Sequence, residues 1–446
     1  MTMPPTTAAN ETPLNAMIMR SVRLLAGNHV LGWADQAIVS ASNFLILVMI
    51  GRWTDPHQLG IYAIGVSVLA LLIATQESLI TRPYSIHLHH PAGAPAEHAF
   101  SALSLSVLLS AGATFVAASV ALLFLAFDAV PGLVEISWAL AGAIPFVLMR
   151  EFARRFAFAH LAVARALLLD IGVTILTVFT LIALGCTNRL SAASAISVAG
   201  FACGFVSFAW LYLARKEFAW SSRQLASTFQ RSWQMGKWFL SSQLAIQVQG
   251  YMTPWLALII AGAAATGVYT ACTSIVGFAN PLLFGFFNVL LPKFVQTLRQ
   301  HGAVALKRQV CLDTVLLAGV MGAFSLVVFT YGDAIMHLLY RDESYTGYGQ
   351  VLVVLALAAL VASVGAPASI ALAAVGQARR VAGVTALAAV LNFVLIAALL
   401  PGWGLLGAAY GVLAAETVGS IGRWLAFLTV KPDAAAVRQE NRLAQS

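Results

Sequence analysis

The sequence predicts an all-α polytopic membrane protein, twelve transmembrane helices in two six-helix lobes inserted the same way up. Three observations carry this. First, the chain has 446 residues, 60% of them hydrophobic and only 9% charged, with mean hydropathy +0.86; soluble domains carry roughly 25% charged residues. Such a chain cannot cover itself with polar groups in water. In lipid the backbone must satisfy its own hydrogen bonds, as helices or a closed barrel, and apolar runs of about 20 residues without alternation select helices. Second, the basic residues segregate by loop. Third, the motif Gly-x-Tyr recurs at Gly60 and Gly267, each time heading a long apolar run.

In chain order the spans fall near 30–50, 59–80, 99–127, 133–149, 166–185, 192–214, 238–261, 266–291, 310–331, 350–372, 381–400 and 404–429. "GRWTDPHQLG" ends the first, "DAVPG" the third, and "PGWG" separates the last two, since Gly and Pro mark places where helices stop. Of the 25 Lys and Arg residues, 21 lie on the side shared by the N-terminus and alternate loops. Only Arg52, Arg189 and Arg341 lie on the other, and Arg423 sits within the last span. The positive-inside rule then places both termini in the cytoplasm. This topological meaning of the basic residues also disposes of nucleic acid as the reason for the +8 net charge.

The two Gly-x-Tyr motifs stand 207 residues apart, each at the head of the second span of a half, with Trp33 and Trp238 starting the span before. Six crossings return a chain to its starting side, so the halves form a parallel repeat about an axis along the membrane normal. Chance recurrence of a tripeptide in a Gly- and Ala-rich chain is the competing account; the matching tryptophans and helix order favour duplication. The predicted organisation is a cytoplasmic tail 1–28, a first lobe 29–214, a basic linker 215–236, a second lobe 237–430 and a cytoplasmic tail 431–446. Two lobes around a cleft suit alternating access. Residues 1–13 are polar with no cleavable signal following, and "MIMRSVRLL" (Met17 to Leu25) suits a short basic segment lying on the membrane.

Cys186, Cys203, Cys272 and Cys311 have no ligand spacing, which argues against a disulfide frame or metal site. His87, His89, His90 and His98 share a Pro- and Ala-rich loop that suits no preformed metal site. No phosphate-binding Gly loop or nucleophile elbow is legible, so no enzyme activity or cofactor is expected, and transport would run on ion gradients or mass action.

"LGIYAIG" (Leu59 to Gly65), "YGDAIMHLLYRDESYTGYGQVLVVLALAALVASVGAP" (Tyr331 to Pro367), "AAVGQARR" (Ala373 to Arg380) and "LNFVLIAALLPGWGLLGAAYG" (Leu391 to Gly411) resemble, in that order, the opening of the second helix and the later loops and helix starts of Wzx-type polysaccharide flippases of the MOP superfamily. The resemblance runs from about Trp33 to Leu428. It implies a flippase in a bacterial cytoplasmic membrane, moving polyprenyl-linked oligosaccharide between leaflets for surface or exopolysaccharide synthesis. The implied partners are membrane lipids and a polysaccharide polymerase or glycosyltransferases. A multidrug-extrusion antiporter of the same architecture and a non-transporting assembly protein for a polysaccharide synthase are the alternatives.

Polar residues within the spans supply the candidate path. Asp35, Gln36, Ser40 and Asn43 lie on span one, Gln243, Gln247 and Gly250 on span seven, and Tyr269, Thr273 and Asn280 on span eight. In the resembled family, spans one, two, seven and eight border the cleft. Each residue reads equally as path lining or as interhelical glue. Asp35 is the candidate coupling carboxylate. Glu77 and Arg82 end span two, and Asp170 is read as a local pair with Arg165. Arg150, Arg154 and Arg155 are read as topological signals beside an anionic leaflet. Glu416, Ser420 and Arg423 form a second charged stripe on span twelve, with the two charges about 10 Å apart along the axis, too far for a direct bond by helix rise alone. The spans bordering the cleft carry no deep Arg or Lys; only Arg52, Arg82 and Lys237 stand at their ends.

Overall fold

The computed structural model describes residues 13–88, 94–127, 132–219 and 225–429. His89, His90 and the predicted tail 431–446 lie outside them. Its long helices are α1 Pro13–Trp53, α2 Pro56–Gln76, α4 Pro95–Ala126, α5 Leu133–Ala159, α6 Val163–Cys186, α7 Ala192–Ala214, α8 Leu225–Gly277, α9 Asn280–Leu339, α10 Gly349–Ala374 and α11 Ala378–Thr429, with a short α3 at Arg82–His87. Among the described residues, ten helical stretches are long and apolar enough to cross a membrane. α1 includes the Met17–Leu25 stretch in one continuous helix.

Three of these helices double back. Gly262, Gly302 and Gly404 interrupt α8, α9 and α11 with φ of 86°, 76° and 59°, a left-handed conformation that glycine adopts without penalty. The contacts prove the reversals. Lys293 Nζ lies 2.8 Å from Asp313 Oδ1, although 20 residues of straight helix would separate them by about 30 Å. Positions 422 and 384, 419 and 388, and 411 and 396 meet across the turn at Gly404. The loop expected between 291 and 310 is therefore helix on both sides of one glycine, and Pro401 remains inside α11. The sequence 292–309 is too polar for a bilayer, yet it continues both helices beyond it. α5 likewise runs ten residues past the expected end at 149.

The apolar packing is asymmetric along the helix axes. One core, with Ile50, Leu59, Ile144 and Leu148 from the first half, also contains Val268, Met336, Leu352 and Ile396 from the second. At the end carrying most of the basic residues there are two separate cores. One surrounds Tyr84, Phe152, Phe156 and Trp210; the other surrounds Leu290, Phe294, Val310 and Leu372. The halves are thus fused at the end opposite the basic one and packed individually at the basic end. Outside, Phe115, Phe179, Phe201, Phe205 and Phe329 are all more than 60% exposed. An apolar surface of this kind belongs against acyl chains.

The repeated Gly-x-Tyr motif sits at the fusion. A Cβ built on Gly60 would overlap the Ala263 carbonyl oxygen and approach Gly267 N to 2.9 Å; a Cβ on Gly267 would overlap the Pro56 carbonyl oxygen and approach Gly60 N to 3.0 Å. The contact is reciprocal under the same 207-residue offset. The two glycines let α2 and α8 meet backbone to backbone.

Candidate functional site: a neutral interlobe cavity and an arginine–carboxylate chain

Directly on the basic-end side of the glycine seam lies a cavity of about 490 Å³ between α1, α2, α8 and the start of α9. Its walls are hydroxyls, amides and aromatic rings: Ser40, Asn43, Tyr62, Tyr251, Tyr269, Thr270, Thr273, Ser274 and Asn280 among them, with Phe44 and Leu47. Among the described residues, no charged side chain lines it. Tyr62 and Tyr269, the tyrosines of the repeated motif, both line it. Pro254 is within α8, and the α8–α9 break at Phe278–Ala279 leaves Gly277 and Asn280 on the cavity wall.

Of the residues expected along the path, Asn43 and Asn280 line this cavity, with Ser40, Gly250, Tyr269 and Thr273. The rest do not. Gln36 Nε2 donates to Ser40 Oγ on its own helix at 3.4 Å. Gln247 Nε2 donates to the Ala70 carbonyl at 2.8 Å, holding α8 to α2, and Trp255 Nε1 does the same through Ser67 Oγ at 3.0 Å. Gln243 is half-buried on α8 away from the cavity.

Asp35, Glu77 and Arg82 belong to a different structure. Arg154 Nη2 donates to Asp35 Oδ2 at 2.6 Å and Arg154 Nε to Asp170 Oδ2 at 2.7 Å. Arg150 bonds Asp170, and its Nη1 lies 3.0 Å from Glu151 Oε2. Arg155 joins Glu151 Oε1 at 2.8 Å to Glu77 Oε2 at 3.0 Å, and Arg82 Nε closes the chain on Glu77 Oε1 at 2.9 Å. Four carboxylates alternate with four guanidinium groups. Exposure of the arginines climbs along the chain, from 12% at Arg154 to 39% at Arg82, while Asp35 and Asp170 at the inner end are 1% and 0% exposed. The reading of Asp170 with Arg165 is corrected: Arg165 pairs with Glu217 at 3.1 Å. The arginines of α5 are structural ion-pair partners as well as topological signals. Glu151, which sequence reasoning missed, is the node between them; its place in "MREFARR", one, three and four residues from arginines, was the available signal.

A local distortion brings Glu77 and Arg82 together. Residues Glu77–Thr81 form a π-helical turn, within which residues five apart fall nearly in line. Pro83 has no N–H and its ring crowds the carbonyl four residues back, which the wider turn relieves. Beyond it, Arg82 lies over the Phe239 ring at 5.6 Å, so the exposed end of the chain touches α8 of the other half.

In the second half, Asp313 is held by Lys293 and by Gln309 Nε2 at 3.1 Å. On α11, Arg423 Nη2 meets Glu416 Oε2 directly at 3.1 Å and also donates to Ser420 Oγ at 3.1 Å. The expected gap is corrected: both side chains extend along the axis and cover the distance that backbone rise alone leaves open. Ser420 Oγ in turn donates to the Val361 carbonyl at 2.7 Å, fixing α11 to α10. The stripe packs two helices of one half and lies away from the central cavity.

No protein-family model matches this sequence, and no curated protein matches it. The fold does have solved relatives. It is similar to an inward-facing multidrug resistance MATE transporter of the MOP superfamily, with TM-score 0.70 and 15% identity over 89% of this chain and 95% of that one. An outward-facing MATE transporter of the same superfamily gives TM-score 0.60 and 14% identity over 92% and 95%. The lipid II flippase MurJ, in an inward closed conformation, gives TM-score 0.65 and 12% identity over 89% and 87%. At these identities the likeness establishes the fold alone: an all-helical, multi-pass arrangement shared with these structures.

Proposed function

We propose that the chain is a lipid-linked saccharide flippase of the Wzx type, working by alternating access between lobes 29–214 and 237–430, with twelve spans and both termini cytoplasmic. The observation that carries this is the chemistry of the central cavity. Hydroxyls, amides and tyrosine faces suit a neutral polyhydroxylated ligand, whereas an organic cation calls for a free carboxylate. The carboxylates nearest in sequence, Asp35 and Glu77, are both occupied by arginine, which weighs against the multidrug reading. The fusion of the halves at the end opposite the basic residues, and the higher similarity to the inward-facing transporter than to the outward-facing one, support a cleft open toward the cytoplasm.

The pyrophosphate of a polyprenyl-linked substrate is assigned to the exposed end of the ion chain. Arg82, 39% exposed and beside α8, keeps donors free while one edge holds Glu77. A guanidinium matches phosphate oxygens by its planar fork, and Lys does not reproduce this. Arg82→Ala is expected to lower flipping of lipid-linked saccharide in proteoliposomes by about tenfold, equivalent to about 1.4 kcal/mol, with Arg82→Lys recovering only part of it. Unchanged flipping in Arg82→Ala removes this headgroup assignment. The reading as a whole is tested by depleting the protein in its host under a radiolabelled sugar. A labelled polyprenyl intermediate should accumulate as surface polymer falls. An unchanged lipid pool with new sensitivity to cationic dyes overturns the reading in favour of the antiporter.

A further inference from the structure

A second and larger cavity, about 730 Å³, opens on the other side of the glycine seam. It is built from both halves. Asp55 and His57 come from the start of α2, Ser344 and Tyr348 from the turn before α10, Gln350 from the first turn of α10, and Trp403 from the hairpin at Gly404. We propose that this outer-mouth cavity is a saccharide-binding subsite that receives the sugar portion of the substrate on the far side of the membrane. This rests on the flippase reading above.

The lining is suited to sugars in composition and in rigidity. Trp403 is 64% exposed, and its indole is braced edge-on against Tyr410, with ring centroids 6.2 Å apart at 80°. An exposed indole face offers a flat apolar surface to the C–H face of a pyranose. Asp55 Oδ1 is engaged by Gln58 N at 2.8 Å as the cap of α2. Its second oxygen makes no hydrogen bond among the described residues, and carboxylate acceptors bind hydroxyl donors strongly. Gln350 is exposed and offers both a donor and an acceptor.

The wall carrying Ser344 and Tyr348 is preorganised. Asp342 Oδ1 accepts from Ser344 N at 2.8 Å, Asp333 Oδ1 accepts from Gly349 N at 3.1 Å, and Tyr340 stacks on Tyr345 at 4.8 Å. Among the described residues no Lys or Arg lines the cavity, so a pyrophosphate finds no guanidinium or ammonium partner here. An interfacial Trp also arises as a membrane anchor, but Trp403 faces a cleft shared by two halves.

The test uses purified full-length protein and two probes from the host: its polyprenyl-pyrophosphate-linked saccharides, and the water-soluble saccharide released from them by mild acid. Wild type is expected to bind the released saccharide, read by saturation-transfer NMR. Trp403→Ala should weaken binding tenfold or more, and Asp55→Asn, which keeps a good helix cap, should weaken it severalfold. Trp138→Ala, another exposed Trp at the same end of the helices and outside the cavity, should leave binding unchanged. Melting temperature in detergent checks that each variant is folded. If wild type flips the lipid-linked probe but does not bind the released saccharide, or if Trp403→Ala binds it as wild type does, the subsite is refuted and the flippase reading survives. If wild type does not flip the lipid-linked probe, the flippase reading fails whatever the saccharide does.

Discussion

Replacing Gly60 or Gly267 with alanine should lower flipping severely while leaving the protein folded. On the proposed flippase reading, a transporter that alternates must seal one end while the other opens, and the backbone-to-backbone contact at Gly60 and Gly267 is the candidate seal. A single methyl at either glycine would occupy the space of the Ala263 or Pro56 carbonyl oxygen. Neither oxygen is the movable tip of a side chain, so α2 and α8 must separate. The shared core behind the seam then loses its closest contact. The equilibrium shifts away from the state closed at this end by whatever the separation costs, and populations follow that difference. The expected reading is a fall in proteoliposome flipping of about tenfold or more for each variant. Asn43→Cys on the cavity wall, in a chain with its four natural cysteines changed to serine, should become reactive to an impermeant maleimide from the end opposite the basic one. Labelling and flipping both equal to wild type in Gly60→Ala would show that the seam is no gate. The double variant should be no worse than either single, because both methyls open the same joint.

The repeated motif thus has a physical reason that sequence alone only hinted at. Gly60 and Gly267 are the positions where α2 and α8 approach backbone to backbone, and Tyr62 and Tyr269, two residues on, turn to the cavity beneath. The apolar spans were legible because apolar runs and Gly/Pro punctuation are local signals, but the helices run on past them, as α5 does to Ala159 and α9 across 292–309. The seventh predicted span, 238–261, ends one residue before the structural break at Gly262. The polar stripes were legible in part: Asn43 and Asn280 reach the cavity because the predicted helical face and the lobe interface coincide. The ion pairs were not legible. Asp170 finds Arg150 and Arg154 because α5 continues to Ala159, and Lys293 finds Asp313 only through the reversal at Gly302. Both depend on how helices are placed in space. Glu151 was hidden for another reason: the positive-inside rule already accounted for the arginines around it, so no unexplained charge called for a partner. Glu416 and Arg423 show the converse error, in which rise along the axis was counted and side-chain length was not.

Loss of the Arg154 guanidinium should be the most damaging single change to stability. Arg154 is 12% exposed and bridges Asp35 and Asp170, which are 1% and 0% exposed. Arg154→Leu leaves two buried carboxylates short of a partner, and Asp35 Oδ1 is already buried without one. Removing one member of a buried ion pair costs about 3–5 kcal/mol, because the abandoned charge keeps its desolvation penalty. Against a typical domain stability of roughly 5–15 kcal/mol, that is enough to depress folded yield. The pair itself need not be a net stabiliser, so the loss should be largely reversible by neutralising what was abandoned. Arg154→Leu combined with Asp35→Asn and Asp170→Asn is expected to recover most of the monodisperse yield and melting temperature in detergent, although Arg150 then loses one of its partners. Arg155→Leu, on a residue 34% exposed, should cost far less, since water can solvate the carboxylates it leaves. The ordering of the three melting temperatures decides the matter. If Arg154→Leu and Arg155→Leu melt alike, or the triple variant melts no higher than Arg154→Leu, then buried charge compensation is not what joins α1, α5 and α6 at the basic end.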